Sequence, residues 1–170
     1  RYYQKITDIY AECSADYDPK SEDTKLFFKM VQNMMHLAVT HHTAAEIIYQ
    51  RADSEQPYMG LTTWKKAPDG RVQKSDTIVA KNYLSDSELS QLNLITTAFL
   101  DMAESRAARH IVSTMDDWKK FLQQYLATMD YEPCDTAGKV TQEEARDKAY
   151  SEYEKYKLIQ DKSYISDFDR

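Results

Sequence analysis

Three times along this chain of 170 residues a serine or threonine stands three positions before a glutamate at the head of a helical pattern: Thr43 with Glu46, Ser85 with Glu88, and Thr141 with Glu144. In such a box the hydroxyl accepts from the backbone N–H at the glutamate position, and the carboxylate reaches back to the N–H of the cap. Two donors that a helix start leaves without partners are satisfied together. Thr114 marks a fourth start, because Asp116 and Asp117 lie behind it in the first turn, where the positive end of the helix dipole favours them. With 3 Gly and 4 Pro, the chain has few sites for the tight turns that a sandwich or barrel needs.

Apolar spacing assigns a buried face to each helix. Tyr2, Ile6, Ile9 and Cys13 recur at four, three and four, which predicts a first helix ending near Asp18-Pro19. A second, capped by Ser21 or Asp23, places Phe27, Met30, Val31, Met34 and Ala38 on one side. The helix after Ser85 carries Leu89, Leu92, Thr96, Phe99, Ala103 and Ala107, with Ile95, Leu100 and Met102 widening the stripe; a face so wide suits a central helix. After Thr114 the packing face is Met115, Trp118, Phe121 or Leu122, Tyr125 and Met129, with Pro133 as the stop. The last helix carries Ala145, Ala149, Tyr153, Tyr156 and Ile159 or Gln160, and Tyr164, Ile165 and Phe168 are expected to tuck a tail back. The expected fold is all-α: a bundle of about five to six helices forming one domain over residues 1–170.

One stretch breaks this pattern. After a short helix from Thr43 to about Ala52-Asp53, the chain passes Pro57 and then Leu61 to Trp64, turns at Pro68-Asp69-Gly70, and returns through Ile78 to Ala80. These two arms predict a short irregular or hairpin-like insert near residues 58–80, with Gly70 supplying a positive φ. Lys65, Lys66, Arg71 and Lys74 gather around the turn next to Trp64, which is the composition of a phosphate-contacting tip but reads first as a solvated loop, since such clusters of cations are common on surfaces.

Charge and cysteine content narrow the partners. With 22 basic against 28 acidic residues the net charge is −6, so the bulk field repels nucleic acid and anionic membrane. Cys13 and Cys134 lie far apart with no CxxC spacing, which fits reduced thiols in a cytoplasmic protein. No apolar run approaches the ~20 residues of a membrane span, so no membrane partner is expected. The chain starts at Arg1 inside a helical pattern, which reads as the C-terminal fragment of a longer protein.

Chemistry-bearing residues are sparse. His36, His41 and His42 cluster with Glu46, but His41 and His42 precede the Thr43 cap and sit in a turn, where a His42/Glu46 pair would share no helical face. Asp101 and Glu104 read as solvated, and Tyr150, Tyr153 and Tyr156 as rim packing rather than a base-stacking ladder. There is neither a Walker loop nor an HExxH helix, and no metal or other cofactor is expected. The candidate functional surface is therefore the insert and its flanks: His42, Glu46, Arg51, Trp64, Lys65, Lys66, Lys81, Asn82 and Tyr83.

Five separated segments carry a resemblance: Tyr2 to Tyr10, Thr43-Ala44-Ala45-Glu46-Ile47-Ile48, Met59-Gly60-Leu61-Thr62-Thr63-Trp64, Ala80-Lys81-Asn82-Tyr83-Leu84 and the closing Gln160 to Asp169. In order and number they resemble the C-terminal part of the RhuM family of bacterial virulence-associated proteins. The resemblance implies an N-terminal region similar to phage antirepressor or BRO-type DNA-binding modules, and it supplies no catalytic residues. The function expected on both grounds is a non-catalytic module for self-association or protein-partner binding in a DNA-associated protein, with nucleic acid contacted through the preceding region. The alternative is a nucleic-acid- or nucleotide-processing enzyme with a site in the 41–83 region.

Overall fold

The computed structural model describes residues 20–131 and 138–163; the side chains at 23, 24, 27, 28 and 30 are not among those described. The expected first helix, Cys13, Pro133, Cys134, the C-terminal tail, and Phe27 and Met30 as core residues lie outside the described residues. Among the described residues there are five α-helices: α1 Glu22–Thr40, α2 Ala44–Arg51, α3 Asp86–Ala108, α4 Met115–Thr128 and α5 Gln142–Ser163. Among the described residues there is no β-strand, and the fold class is all-α. No described helix is long and apolar enough to cross a membrane.

The caps predicted at Thr43, Ser85, Thr114 and Thr141 are made. Ser85 N–H donates to Glu88 Oε1 at 2.9 Å, and Glu88 N–H donates to Ser85 Oγ at 3.2 Å. Thr141 and Glu144 exchange the same two bonds, as do Thr114 and Asp117. Thr43 accepts from Glu46 N–H at 3.2 Å, but here its hydroxyl donates back to the Glu46 carboxylate at 3.1 Å.

Contacts group the chain into two compact units. One holds the described residues through His41 and those from Ser90 to 131. Its core is Val31, Met34, Met35 and Ala38 of α1, Leu92, Ile95, Phe99, Leu100 and Ala103 of α3, and Trp118, Leu122, Tyr125 and Leu126 of α4. Burying each large side chain contributes roughly 1.5–3 kcal/mol. Phe99 lies 5.5 Å from the Phe121 ring and 5.6 Å from the Tyr125 ring, and Tyr125 donates its hydroxyl to the Ile95 carbonyl at 2.7 Å. That bond meets the polar end of a ring otherwise in the core. Met102 and Met129 are exposed instead, and Leu126 takes the place expected of Met129 as α4 ends at Thr128.

The other unit holds His42–Leu89 and residues 138–163. Here α2 packs on α5, whose small Ala145 and Ala149 are buried. Two α5 side chains close the end of α2: Lys148 Nζ donates to the Ala52 carbonyl at 3.0 Å, and Glu152 accepts from Ser54 N–H at 2.9 Å. A cation on the last carbonyls of a helix is favoured by its dipole. Of the two alternatives at the end of the α5 stripe, Gln160 is buried and Ile159 exposed.

Candidate functional site

The insert contains three single-turn 3-10 segments, η1 Pro57–Gly60, η2 Lys74–Ile78 and η3 Ala80–Tyr83, and no hairpin. The arm from Leu61 to Trp64 bonds to Asn82 and Leu84, beyond the expected Ile78 to Ala80: Thr62 N–H and Thr63 N–H both donate to the Asn82 carbonyl, and the Thr62 hydroxyl reaches the Leu84 carbonyl at 2.6 Å. A threonine side chain bonding to backbone stands where ladder bonds would run. In η1 the backbone reverses hand, with Tyr58 at φ 53°, Met59 at φ 50° and Gly60 at φ 88°. Left-handed conformations are costly for side-chain-bearing residues, and here they persist because Met59 is wholly buried.

Polar side chains hold this irregular backbone. Buried Asp76 accepts from Lys65 N–H at 3.2 Å and Gln73 N–H at 2.8 Å, and its own carbonyl accepts from Asn82 Nδ2 at 2.9 Å. Tyr83 donates its hydroxyl to the Thr77 carbonyl at 2.6 Å, and burial pushes the phenol well above its ordinary pKa. Arg51 grips Glu88 through two parallel bonds of 2.7 and 2.8 Å and also donates to the Tyr83 carbonyl at 2.9 Å. The guanidinium holds the Glu88 carboxyl down at about 2.

Trp64 is not on the surface. Its ring is buried, 4.6 Å from Tyr58, and its indole N–H donates to the Gly70 carbonyl at 2.7 Å. It braces the basic turn from inside and offers no face to a base. Gly70 is required for space rather than for a positive φ: a Cβ there would stand 2.4 Å from Lys66 Cβ. His42 and Glu46, expected not to meet, approach at 3.5 Å, because the turn before Thr43 aims the imidazole back over the first turn of α2.

The basic residues of the turn separate. Lys74 pairs with Glu154 at 3.8 Å and lies 4.5 Å above the Tyr150 ring, while Arg71 pairs with Asp161. Lys65 and Lys66 are exposed, and Lys81 is half-buried. Gln160 clamps the next residue along, accepting from Val72 N–H at 2.8 Å and donating to the Val72 carbonyl at 3.1 Å. These anchors lay residues 66–73 along α5, and between them opens a cleft of ≈ 320 Å³ lined by Lys66, Gly70, Arg71, Tyr153 and Lys157. Tyr153, Lys157 and Gln160 share one helical face at spacings of four and three. The sequence reading missed Lys157, Gln160 as a polar anchor, and Glu88 as the partner of Arg51. Only Glu88 carried a local signal, as half of a capping box.

Among the described residues no group of three or more His, Cys, Asp or Glu is placed to hold a metal ion. No curated protein and no solved structure matches this chain. A sequence model of the Virulence protein RhuM family matches residues 1–165, nearly the whole length. The residues that shape the insert thus sit in a chain that belongs to the RhuM family of virulence proteins.

Proposed function

We propose that this chain is a non-catalytic helical module through which a longer, DNA-associated cytoplasmic protein self-associates. The observation that carries the reading is the use made of the polar groups around the insert. Glu46 accepts from the Thr43 hydroxyl that caps α2, Arg51 is locked onto Glu88 and the Tyr83 carbonyl, and Asn82 and Tyr83 fasten η2 and η3. Groups committed to holding backbone are poorly placed to bind and release a proton or a substrate. On α5, Leu158 and Ile159 are 66% and 52% exposed beside each other, which suits a contact with a second copy of this chain. Pairing also suits a protein whose DNA-binding heads read paired half-sites.

Sedimentation of the full chain over a range of concentrations tests this. A concentration-dependent dimer, weakened by Leu158→Glu with Ile159→Glu, is the expected result. A mass that stays monomeric throughout, or a multimer indifferent to both substitutions, overturns the reading. In the longer protein, Lys65→Ala with Lys66→Ala is expected to leave DNA affinity and its salt dependence unchanged.

A further inference from the structure

The cleft between the basic turn and α5 has a charge balance that its surroundings do not cancel. Of its three cations, Arg71 is paired with Asp161, whereas Lys66 and Lys157 form no ion pair with any described residue. Two ammonium groups lining one concavity give it a positive potential, which an anion of matching charge neutralises. A carboxylate brings one negative charge, but a phosphate monoester or diphosphate brings two or more, matching both lysines. Lysine binds phosphate as a point charge and does not need the planar fork that arginine offers a carboxylate.

Size and context restrict the ligand further. A volume of ≈ 320 Å³ is at the small end of ligand pockets and leaves room for one nucleotide-sized molecule. The net charge of −6 works against a long polyanion and far less against a small one. Tyr153 supplies an aromatic body and a hydroxyl on the wall that also carries Lys157. The walls are braced before any ligand arrives: Trp64 holds the Gly70 carbonyl, and Gln160 holds Val72. The N–H groups of Gly70, Val72 and Gln73 are committed to Lys66, Gln160 and Asp76, so these three amides are not offered to a ligand.

From this arrangement we propose that the cleft binds a small phosphate ester of nucleotide size, Lys66 and Lys157 neutralising the phosphate and Tyr153 lying against the organic part. Calorimetric titration of the full chain with ADP and with inorganic pyrophosphate, at low and high salt, is the test. Saturable one-to-one binding of both is expected, weakening as salt rises because the contacts are point charges. Lys66→Gln with Lys157→Gln should lower both affinities at least about tenfold, the loss expected for two charge-assisted contacts, while the thermal midpoint without ligand stays put. Lys66→Arg with Lys157→Arg should retain binding, and Tyr153→Ala should weaken ADP more than pyrophosphate. Absence of saturable heat with both probes, affinities unmoved by the glutamine pair, or a single-stranded oligonucleotide that outcompetes ADP for the same lysines would each overturn the proposal.

Discussion

Arg51 and Glu88 face each other as a fork on a carboxylate, Nη1 to Oε1 at 2.7 Å and Nη2 to Oε2 at 2.8 Å, and so tie the last residue of α2 to the first turn of α3. Glu88 at the same time caps its own helix by accepting from Ser85 N–H. Arg51→Lys keeps the charge but cannot make both bonds together with the one to the Tyr83 carbonyl. We expect Arg51→Lys to lower unfolding stability by about 2 kcal/mol, read from urea denaturation. A variant as stable as the parent would show that the fork is ornamental.

The same pair sets a pH dependence. The Glu88 carboxyl lies at about 2 in the folded chain against an ordinary 4.5, because Arg51 bonds to its ionised form. A depressed folded pKa means a contribution that is complete above pH 4.5 and fades as pH falls from there towards 2. The stability difference between parent and Glu88→Gln should therefore be largest at neutral pH and shrink across that window. A difference constant from pH 7 to pH 2 would contradict the assignment.

Gln160 satisfies both backbone groups of buried Val72. Gln160→Leu keeps the packing volume and orphans a donor and an acceptor, each costing about 1–3 kcal/mol. The expected signature is a stability loss of about 3 kcal/mol with early hydrogen exchange at the Val72 amide. Exchange that remains as slow as in the parent would show another partner for that N–H.

At Gly60, φ is +88° and a Cβ would come within 2.1 Å of the Arg51 carbonyl oxygen. Backbone cannot yield as a side-chain tip can, so Gly60→Ala should cost about 3 kcal/mol through overpacking and strain combined. Thermal unfolding monitored by circular dichroism reads this directly, and an unchanged midpoint would refute it.

What could be read from the sequence was whatever is decided within one helical turn. The Ser85/Glu88 and Thr141/Glu144 boxes are local chemistry, and they set the starts of α3 and α5 correctly. The buried faces followed from periodicity in the main, but Met102 on the edge of the wide α3 stripe is exposed and Met129 lost its place to Leu126. The bonds that shape the insert were illegible because their partners are remote: 37 positions separate Arg51 from Glu88, and 88 separate Val72 from Gln160. Trp64 was misplaced for a related reason. Beside four cations in sequence it looks like a stacking platform, and only the fold shows its N–H turned inward to Gly70.

The Gln160 amide does for Val72 what a neighbouring strand would do, offering one acceptor and one donor to a residue that lies outside any helix. A segment whose backbone groups are already matched cannot template a foreign strand, and unguarded extended segments are where edge-to-edge aggregation begins. A single glutamine on α5 thus lets this helical protein keep an irregular stretch at Val72 without leaving its backbone groups adhesive.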